Sequence, residues 1–466
     1  MIKKYAAILF LLLTFPLIQF FAGRFMLEAD NNLYSYIPQE SDFVVEINTR
    51  NFIRELAYQR IFNETYFKER IYPAEEGEEE APAEKIKNPG FDLFSKVILF
   101  REQWANETVW IGLISYNDAD KMGHFFEQNA PDVNLVFGDG VAILQLTPST
   151  DQAQLDQHLE KIKKKEIKRF TERVNLTAIF DAEKEINCFI IPKTTENNQL
   201  IDGYLSFDFS KDHIAIDGTF SPVSGFKEST APIAYAINEE KALSLRSSLN
   251  LLNSIYWFSE ERLDNIPDYD QIAFDYDGVE CRLIHRTAGY VNSLKGIPDI
   301  NIHFDIENSN DWFTYFDSLR NNERVIIDTI NHTLIMPEGG FMCYELDEHT
   351  FRLQQKPFTL VTANDPNLYF DLNISTDPLI NNTVITVDEH NPPSDIMQMG
   401  GSLVAHQMIE QIQPLANMDH IRFQLIGGES EEIKAIGRID MREKEGSAIV
   451  ESLFLGNTAL HFLIAH

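Results

Sequence analysis

The first 29 residues constrain this chain more than any other stretch. Met1-Ile2-Lys3-Lys4 leads into an almost uninterrupted apolar run from Tyr5 to Ala22, followed by Gly23-Arg24. As a helix, these 18 residues span about 27 Å at a rise of about 1.5 Å each. That is close to the hydrocarbon thickness of a bilayer, about 30 Å. Two lysines ahead of the run place the start of the chain on the cytoplasmic side, so everything after Glu28 is expected across the membrane. A removable secretory signal has a shorter core and small residues before its cut. Here a cut after Ala22 puts Phe20, and one after Gly23 puts Phe21, where a protease wants a small side chain. No Cys directly follows the run to carry a lipid. The sequence therefore predicts an uncleaved single-pass anchor within residues 1–29, its apolar core at residues 5–22, with a removed signal as the alternative.

Beyond the anchor the chain is long enough for two or three domains, and 34 Phe residues leave no shortage of core material. The formal net charge is −33, from 72 acidic and 39 basic residues. Such a surface repels nucleic acid and anionic headgroups, so a polyanion is excluded as a partner, and the acidity reads mainly as solubility. Cys188, Cys281 and Cys343 are scattered through strand-like apolar runs and match neither a disulfide framework nor a zinc pattern. An exported chain of this size without evident disulfides suits a bacterial envelope, and the expected location is the inner membrane with the bulk of the chain in the periplasm.

Residues 72–89 carry Glu75-Glu76-Gly77-Glu78-Glu79-Glu80 between Pro and Ala, which predicts a mobile acidic loop. The remainder reads as an internal repeat. Phe43 to Asn48 is a strand ending in a capping Asn, with Phe52, Ile53 and Leu56 on one face of a following helix. Ile233 to Asn238 does the same, with Ala242, Leu245, Leu249, Leu252 and Tyr256 at helical spacing behind it. Val109 to Ser115 leads through Asn117-Asp118 into a helix, as Ile302 to Ile306 leads through Asn310-Asp311. Gly140 to Leu146 aligns without gaps on Gly340 to Leu346. A glycine-bearing hairpin closes each half, Tyr204–Phe209 with His213–Phe220 and Ile421–Leu425 with Glu432–Ile439. The expected fold is α+β: an N-terminal transmembrane helix, then two related halves, 33–225 and 226–466, each a mostly antiparallel sheet with helices packed on one face.

Through Ile37-Pro38-Gln39-Glu40-Ser41-Asp42-Phe43-Val44-Val45-Glu46-Ile47-Asn48 the chain resembles uncharacterised Bacteroidota-like envelope proteins, in which an anchor is followed by an entry strand and repeated ββα units. The resemblance implies an architecture over most of the chain. It implies no activity and no catalytic residues.

The search for chemistry is largely negative. No His-x-x-x-His occurs, and Asp347-Glu348-His349 and Asp388-Glu389-His390 read as solvated turns. Asp268-Tyr269-Asp270 and Asp275-Tyr276-Asp277-Gly278 invite calcium, but Ala273 stands where the loop needs an oxygen ligand, and the alternation fits a strand with its acids facing water. Gly138-Asp139-Gly140 and Gly339-Gly340 precede strands, so they are turns rather than phosphate cradles. No nucleophile motif is present. No metal or organic cofactor is therefore expected.

One basic run stands out on this acidic chain. Lys161, Lys163, Lys164, Lys165, Lys168 and Arg169 extend a helix begun near Ser149, whose buried stripe is Leu155, Leu159 and Ile162. It is read first as a solvated face, second as a surface for an acidic partner or headgroup. A repeated fold without polar constellations favours a membrane-tethered binding or scaffold protein without catalytic activity. A carrier for lipid or another apolar ligand, and a hydrolase with an unrecognised site, are the rivals. N-terminal sequencing of the protein purified from membranes is expected to begin at Met1; a mature chain starting near Arg24 would leave export but remove the anchor.

Overall fold

A computed structural model describes residues 33–50, 90–191, 200–249, 267–285, 292–321, 326–328, 332–335, 341–354, 360–376, 384–386 and 418–442, apart from gaps of one to three residues within these ranges. The anchor, the acidic loop 72–89, the helix expected over Phe52 to Leu56, Asp388 to His390 and Gly339-Gly340 lie outside the described residues. Among the described residues no helix is long and apolar enough to cross a membrane.

The chain divides into two compact units, Met1–Ile191 with Tyr204–Asp208, and Pro192–Gly203 with Phe209–His466. Strands β1 (Phe43–Ile47), β2 (Val97–Trp104), β3 (Glu107–Ser115), β4 (Asn134–Phe137), β5 (Val141–Gln145) and β6 (Ile186–Ile190) belong to the first, and β7 (Leu200–Phe209) supplies residues to both. The second holds β8 (His213–Pro222), β9 (Leu243–Ser247), β10 (Gln271–His285), β11 (Asn292–Asp305), β12 (Ile326–Asp328), β13 (Thr333–Ile335), β14 (Phe341–Leu346), β15 (Thr350–Gln354), β16 (Leu368–Ser375), β17 (Val384–Thr386), β18 (Met418–Gly427) and β19 (Ile433–Met441). Helices α1 (Ala119–Asn129) and α2 (Gln152–Lys163) lie in the first unit, and α3 (Ser309–Asn321) in the second.

In the first unit the strands run in the order β6-β1-β2-β3-β5-β4, every pair antiparallel. All five residues of β5 are buried, so both of its faces need cover. Met122 of α1 packs with Ala142 and Leu144 on one face, against Ile114 and Phe126. Leu155, Leu159 and Ile162 of α2 join Val44, Phe100, Ile111 and Ile143 on the other. Helices thus cover both faces here, not the single face expected from sequence.

The ends of α2 also differ from expectation. Asp151 caps it, accepting from the Gln154 amide at 3.2 Å, while the Ser149 hydroxyl donates to Glu107 at 2.9 Å. The helix stops at Lys163, and Lys165 takes a left-handed conformation with φ of 56°, so Lys168 and Arg169 lie beyond it. A run of like charges gives the helix no reason to continue once its apolar stripe has ended at Ile162.

The second unit is antiparallel along β8-β19-β18-β16-β9-β10-β11-β15-β14-β13-β12, with β17 pairing parallel to β10. Trp312 of α3 packs its ring 4.8 Å from Phe304 and 5.0 Å from Phe351, which makes the core on that face. Gly437 lets Phe423 lie across β19, since a Cβ there would come within 2.9 Å of that ring. Two sequence expectations fail here. Ile233 to Asn238 forms only a bridge between Tyr235 and Thr362. The helix expected behind it is strand β9 over Leu243–Ser247, where Leu and polar residues alternate with period two.

The segments aligned in the sequence occupy different places in their sheets, but one order of strands is shared. The order β6-β1-β2-β3-β5-β4 recurs as β16-β9-β10-β11-β15-β14, with the same directions. Registers coincide too: Val44 faces Phe100 and Phe189 as Ser244 faces Asp275 and Asn373. An Asp or Asn side chain caps the helix in each unit, three residues on in one and two in the other. Asp118 follows β3 and accepts from the Lys121 amide at 3.1 Å, while Asn308 follows β11 and accepts from the Asn310 amide at 3.0 Å. The equivalences are Phe43–Ile47 with Leu243–Ser247, and β4 with the end of β14. They correct the sequence alignment, which set Ile47-Asn48 on Ile237-Asn238 and Gly140–Leu146 on Gly340–Leu346. Because Leu159 is fully buried between α2 and its sheet, Leu159→Ala is expected to lower unfolding stability by about 2–5 kcal/mol in denaturant titrations. A loss under about 1 kcal/mol would mean that α2 does not carry that core.

Candidate functional site

The sheet face covered by α2 in the first unit has a polar counterpart in the second. Two rows of side chains cross it. One runs Gln354, Asn301, Asp275, Ser244, Asn373, Arg422; the other runs Arg352, His303, Ala273, Arg246, Asp371, Gln424. The equivalent first-unit positions include Val44, Phe100, Ile111, Leu113, Ile143 and Phe189, all in the hydrophobic core. Polar groups on a buried face carry a desolvation cost that apolar ones avoid. Yet Ser244, His303 and Asn373 are 0% exposed, and Asp275 and Arg246 only 1% and 2%.

Arg246 and Asp275 form the centre. Nη1 of Arg246 donates to Asp275 Oδ1 at 2.8 Å and Nη2 to Oδ2 at 3.3 Å. Its Nε donates to the Ala236 carbonyl at 3.0 Å, and Nη1 also reaches the carbonyls of Leu245 and Phe274 at 2.8 and 3.2 Å. The Ser244 hydroxyl donates to Asp275 Oδ1 at 2.6 Å. In the first unit, Glu46 holds the position of Arg246. It is buried, salt-bridged to Lys96 at 3.1 Å, hydrogen-bonded by the Tyr34 hydroxyl, and 3.2 Å from the Asn187 amide. Each copy therefore keeps one buried charge on its central strand, with opposite sign.

A second network lies along β11. Arg352 Nε donates to His303 Nδ1 at 2.9 Å, which leaves the ring proton on Nε2 to donate to Asp305 Oδ1 at 2.8 Å. The Tyr235 hydroxyl donates to the same oxygen at 3.0 Å, and its ring packs edge-on against His303. Burial, together with the Asp305 charge, pushes the Tyr235 hydroxyl up to about 12. Tyr235 belongs to a strap, Pro232 to Asn238, laid against this face. Gln271 donates to the Pro232 carbonyl at 3.2 Å and accepts from the Ala234 amide at 2.7 Å. The Ile233 and Ala236 amides donate to the Leu368 and Val361 carbonyls, the Ala234 carbonyl accepts from Ala363, and the Asn238 amide donates to the Ser244 hydroxyl. Its alternating apolar sequence imitates a strand because it is pinned on both sides.

At the far end of the rows, Asp371 Oδ2 accepts from Gln424 at 3.1 Å, with an Arg422 nitrogen 3.5 Å away. Burial raises the Asp371 carboxyl above the usual carboxylate range, against the opposing pull of Arg422, Gln424 and Arg246.

Asp275, expected to face water, is buried instead. Alternation identifies the face a residue occupies but not whether that face is covered. The basic residues read first as a solvated face and second as a docking surface gather in the first unit and contribute nothing to this network. Lys161, Lys164, Lys168 and Arg169 are exposed; Lys163 pairs with Glu160 at 3.1 Å, and the Lys165 ammonium lies 4.3 Å from the Tyr36 ring centre. Cys188 is a buried thiol on β6, pushed up to about 12 by desolvation. Asp347 accepts from the His349 and Thr350 amides in the turn expected for it. Among the described residues no three His, Cys, Asp or Glu side chains are placed to hold a metal ion.

Comparison with family models, curated proteins and solved structures finds no match to this chain.

Removing one partner of a buried pair strands the other charge. Arg246→Met is therefore expected to cost about 3–5 kcal/mol in chemical denaturation. Arg246→Met with Asp275→Leu should recover much of that loss, because no charge is then left buried. A double variant as unstable as the sum of the two single ones would refute the pairing.

Proposed function

We propose that this is a binding protein of a bacterial cell envelope, tethered in the inner membrane through residues 5–22 with its two units in the periplasm, and without catalytic activity. The first unit is the structural copy. The second is the binding copy, and it recognises a polar ligand or a polar segment of a partner. The resemblance of Ile37 to Asn48 to Bacteroidota-like envelope proteins belongs to the same proposal.

One observation carries this reading: at matched strand positions the first unit has Val44, Phe100, Ile111 and Phe189, where the second has Ser244, Asp275, Asn301 and Asn373. Two copies of one fold share the same demand for a core. Where one copy gives a face over to polar groups at a loss of stability, a task other than folding is the simplest reason. The rival readings draw less support. An apolar-ligand carrier calls for rings lining a cavity, whereas Phe304, Trp312 and Phe351 are packed into one another. A hydrolase calls for a free base, whereas both ring nitrogens of His303 are engaged, one by Arg352 and one by Asp305.

Native mass spectrometry of the full-length protein released from detergent is expected to show a polar small-molecule or peptide adduct. That adduct should be lost in Asn301→Ile, which restores the first-unit residue at that position. A stoichiometric acyl lipid that persists in the variant would sink the proposal in favour of a carrier.

A further inference from the structure

Three polar atoms at neighbouring positions of β16 and β18 are buried without a hydrogen-bond partner among the described residues: Asp371 Oδ1, Asn373 Oδ1 and Arg422 Nε. Asp371 is 3% exposed and Asn373 fully buried, both on the polar face described above. Asn373 and Arg422 sit directly opposite each other across the two strands. Arg422 Nη2 lies 3.5 Å from the other oxygen of Asp371, so the three side chains share one locality. Folded proteins rarely leave such groups unmet, because a buried donor or acceptor gives up its water for nothing. The set asks for a definite complement: donors for two oxygens and an acceptor for one N–H.

A hard metal ion supplies neither part well. It takes six or more oxygen ligands, and it offers nothing to Arg422. Alternate residues on a strand are also spaced by about 6.6 Å, which suits a group with several directed N–H bonds better than a single sphere. We infer that Asp371, Asn373 and Arg422 form a subsite for an amino-acid-type group, a primary ammonium with a carboxylate or carbonyl oxygen close to it. The ammonium donates to Asp371 Oδ1 and Asn373 Oδ1, and the neighbouring oxygen accepts from Arg422 Nε. The raised Asp371 carboxyl agrees, since it marks a carboxylate whose burial outweighs the positive charge now beside it. The chemistry is common to a free amino acid and to the amino terminus of a peptide. The inference rests on the polar face being the binding face, and names what binds there.

Isothermal titration of the full-length protein in detergent with L-alanine, L-alanyl-L-alanine and the N-acetylated form of each separates the possibilities. At least one free-amine probe is expected to bind, with N-acetylation weakening it more than about tenfold. Asp371→Asn is expected to weaken it by about tenfold or more. A preference for the dipeptide identifies the peptide source, and the reverse identifies the free amino acid. Should Asp371→Asn fail to fold, Arg422→Lys keeps the charge, removes the Nε donor, and must weaken binding too. Equal binding of free and acetylated probes overturns the amine subsite while leaving the polar-face reading intact. Absence of heat with every probe overturns the subsite as well, whatever adduct native mass spectrometry reveals.

Discussion

A guanidinium buried against a carboxylate on two central strands sets the terms for the second unit. Taking Arg246 and Asp275 out of water costs several kcal/mol per ion, and their attraction offsets this only with good geometry and further hydrogen bonds. The structure supplies both. Arg246 bonds to Asp275 through two nitrogens and to three backbone carbonyls, including that of Ala236 in the strap. Asp275 in turn accepts from Ser244. Strand β9, strand β10 and the strap are thereby held in one arrangement. An apolar substitute could match the burial but could not specify which backbone carbonyls meet it.

The first unit solves the same packing problem differently. Its equivalent face is closed by α2, and the buried charge on its central strand, Glu46, is met by Lys96, Tyr34 and Asn187. The stretch that carries α2 runs from Gln145 to Ile186, whereas its counterpart in the second unit is only Gln354 to Leu368. A helix of that length with its connections does not fit there. Among the described residues no helix matches α2 on this face, and the polarity of the face goes with that: without a stripe of Leu and Ile to meet them, apolar residues on it would lose their partners.

Much of this was legible in the sequence, and the failures have physical causes. Strands β1, β3, β5, β8 and β19 announce themselves by alternation and by turn residues, and α1 by an acidic cap followed by spaced aromatics; α3 begins at Ser309, so Asn310-Asp311, expected to lead into it, lie inside its first turn. The segments set on one another as a repeat, Ile47-Asn48 with Ile237-Asn238 and Gly140–Leu146 with Gly340–Leu346, are not equivalent in the structure, because short apolar runs look alike. Ile233 to Asn238 resembles Phe43 to Asn48 in composition, yet it lacks a full strand ladder on each side and becomes a strap. Leu245 and Leu249 satisfy helical spacing, but Leu243-Ser244-Leu245-Arg246-Ser247 satisfies alternation equally, and pairing with β10 and β16 decides. The polar face was missed for another reason. Ser244, Asp275, Asn301, His303 and Asn373 each occupy a polar position of an alternating strand, the pattern of an edge washed by water. Only the order of strands, with β9, β10, β11 and β16 in the interior of the sheet, shows that five such positions line up in two rows.

That alignment is also what sets the face we propose to bind apart from a coincidence of buried polar residues. Isolated buried polar groups in a sheet find local partners and go no further, as Gln271 does with the strap. Along the rows the local partners suffice at Arg246, at Asp275 and at His303, and then stop sufficing at Asp371, Asn373 and Arg422. A gradient of this kind, from closed networks at the centre to atoms on β16 and β18 without a partner among the described residues, gives the face a direction. The closed part holds the sheet rigid; the open part is where the chemistry of a second molecule would be read. Rigid support beneath unmet donors and acceptors is what recognition of a small polar group needs, because the site is then already ordered at the moment of binding.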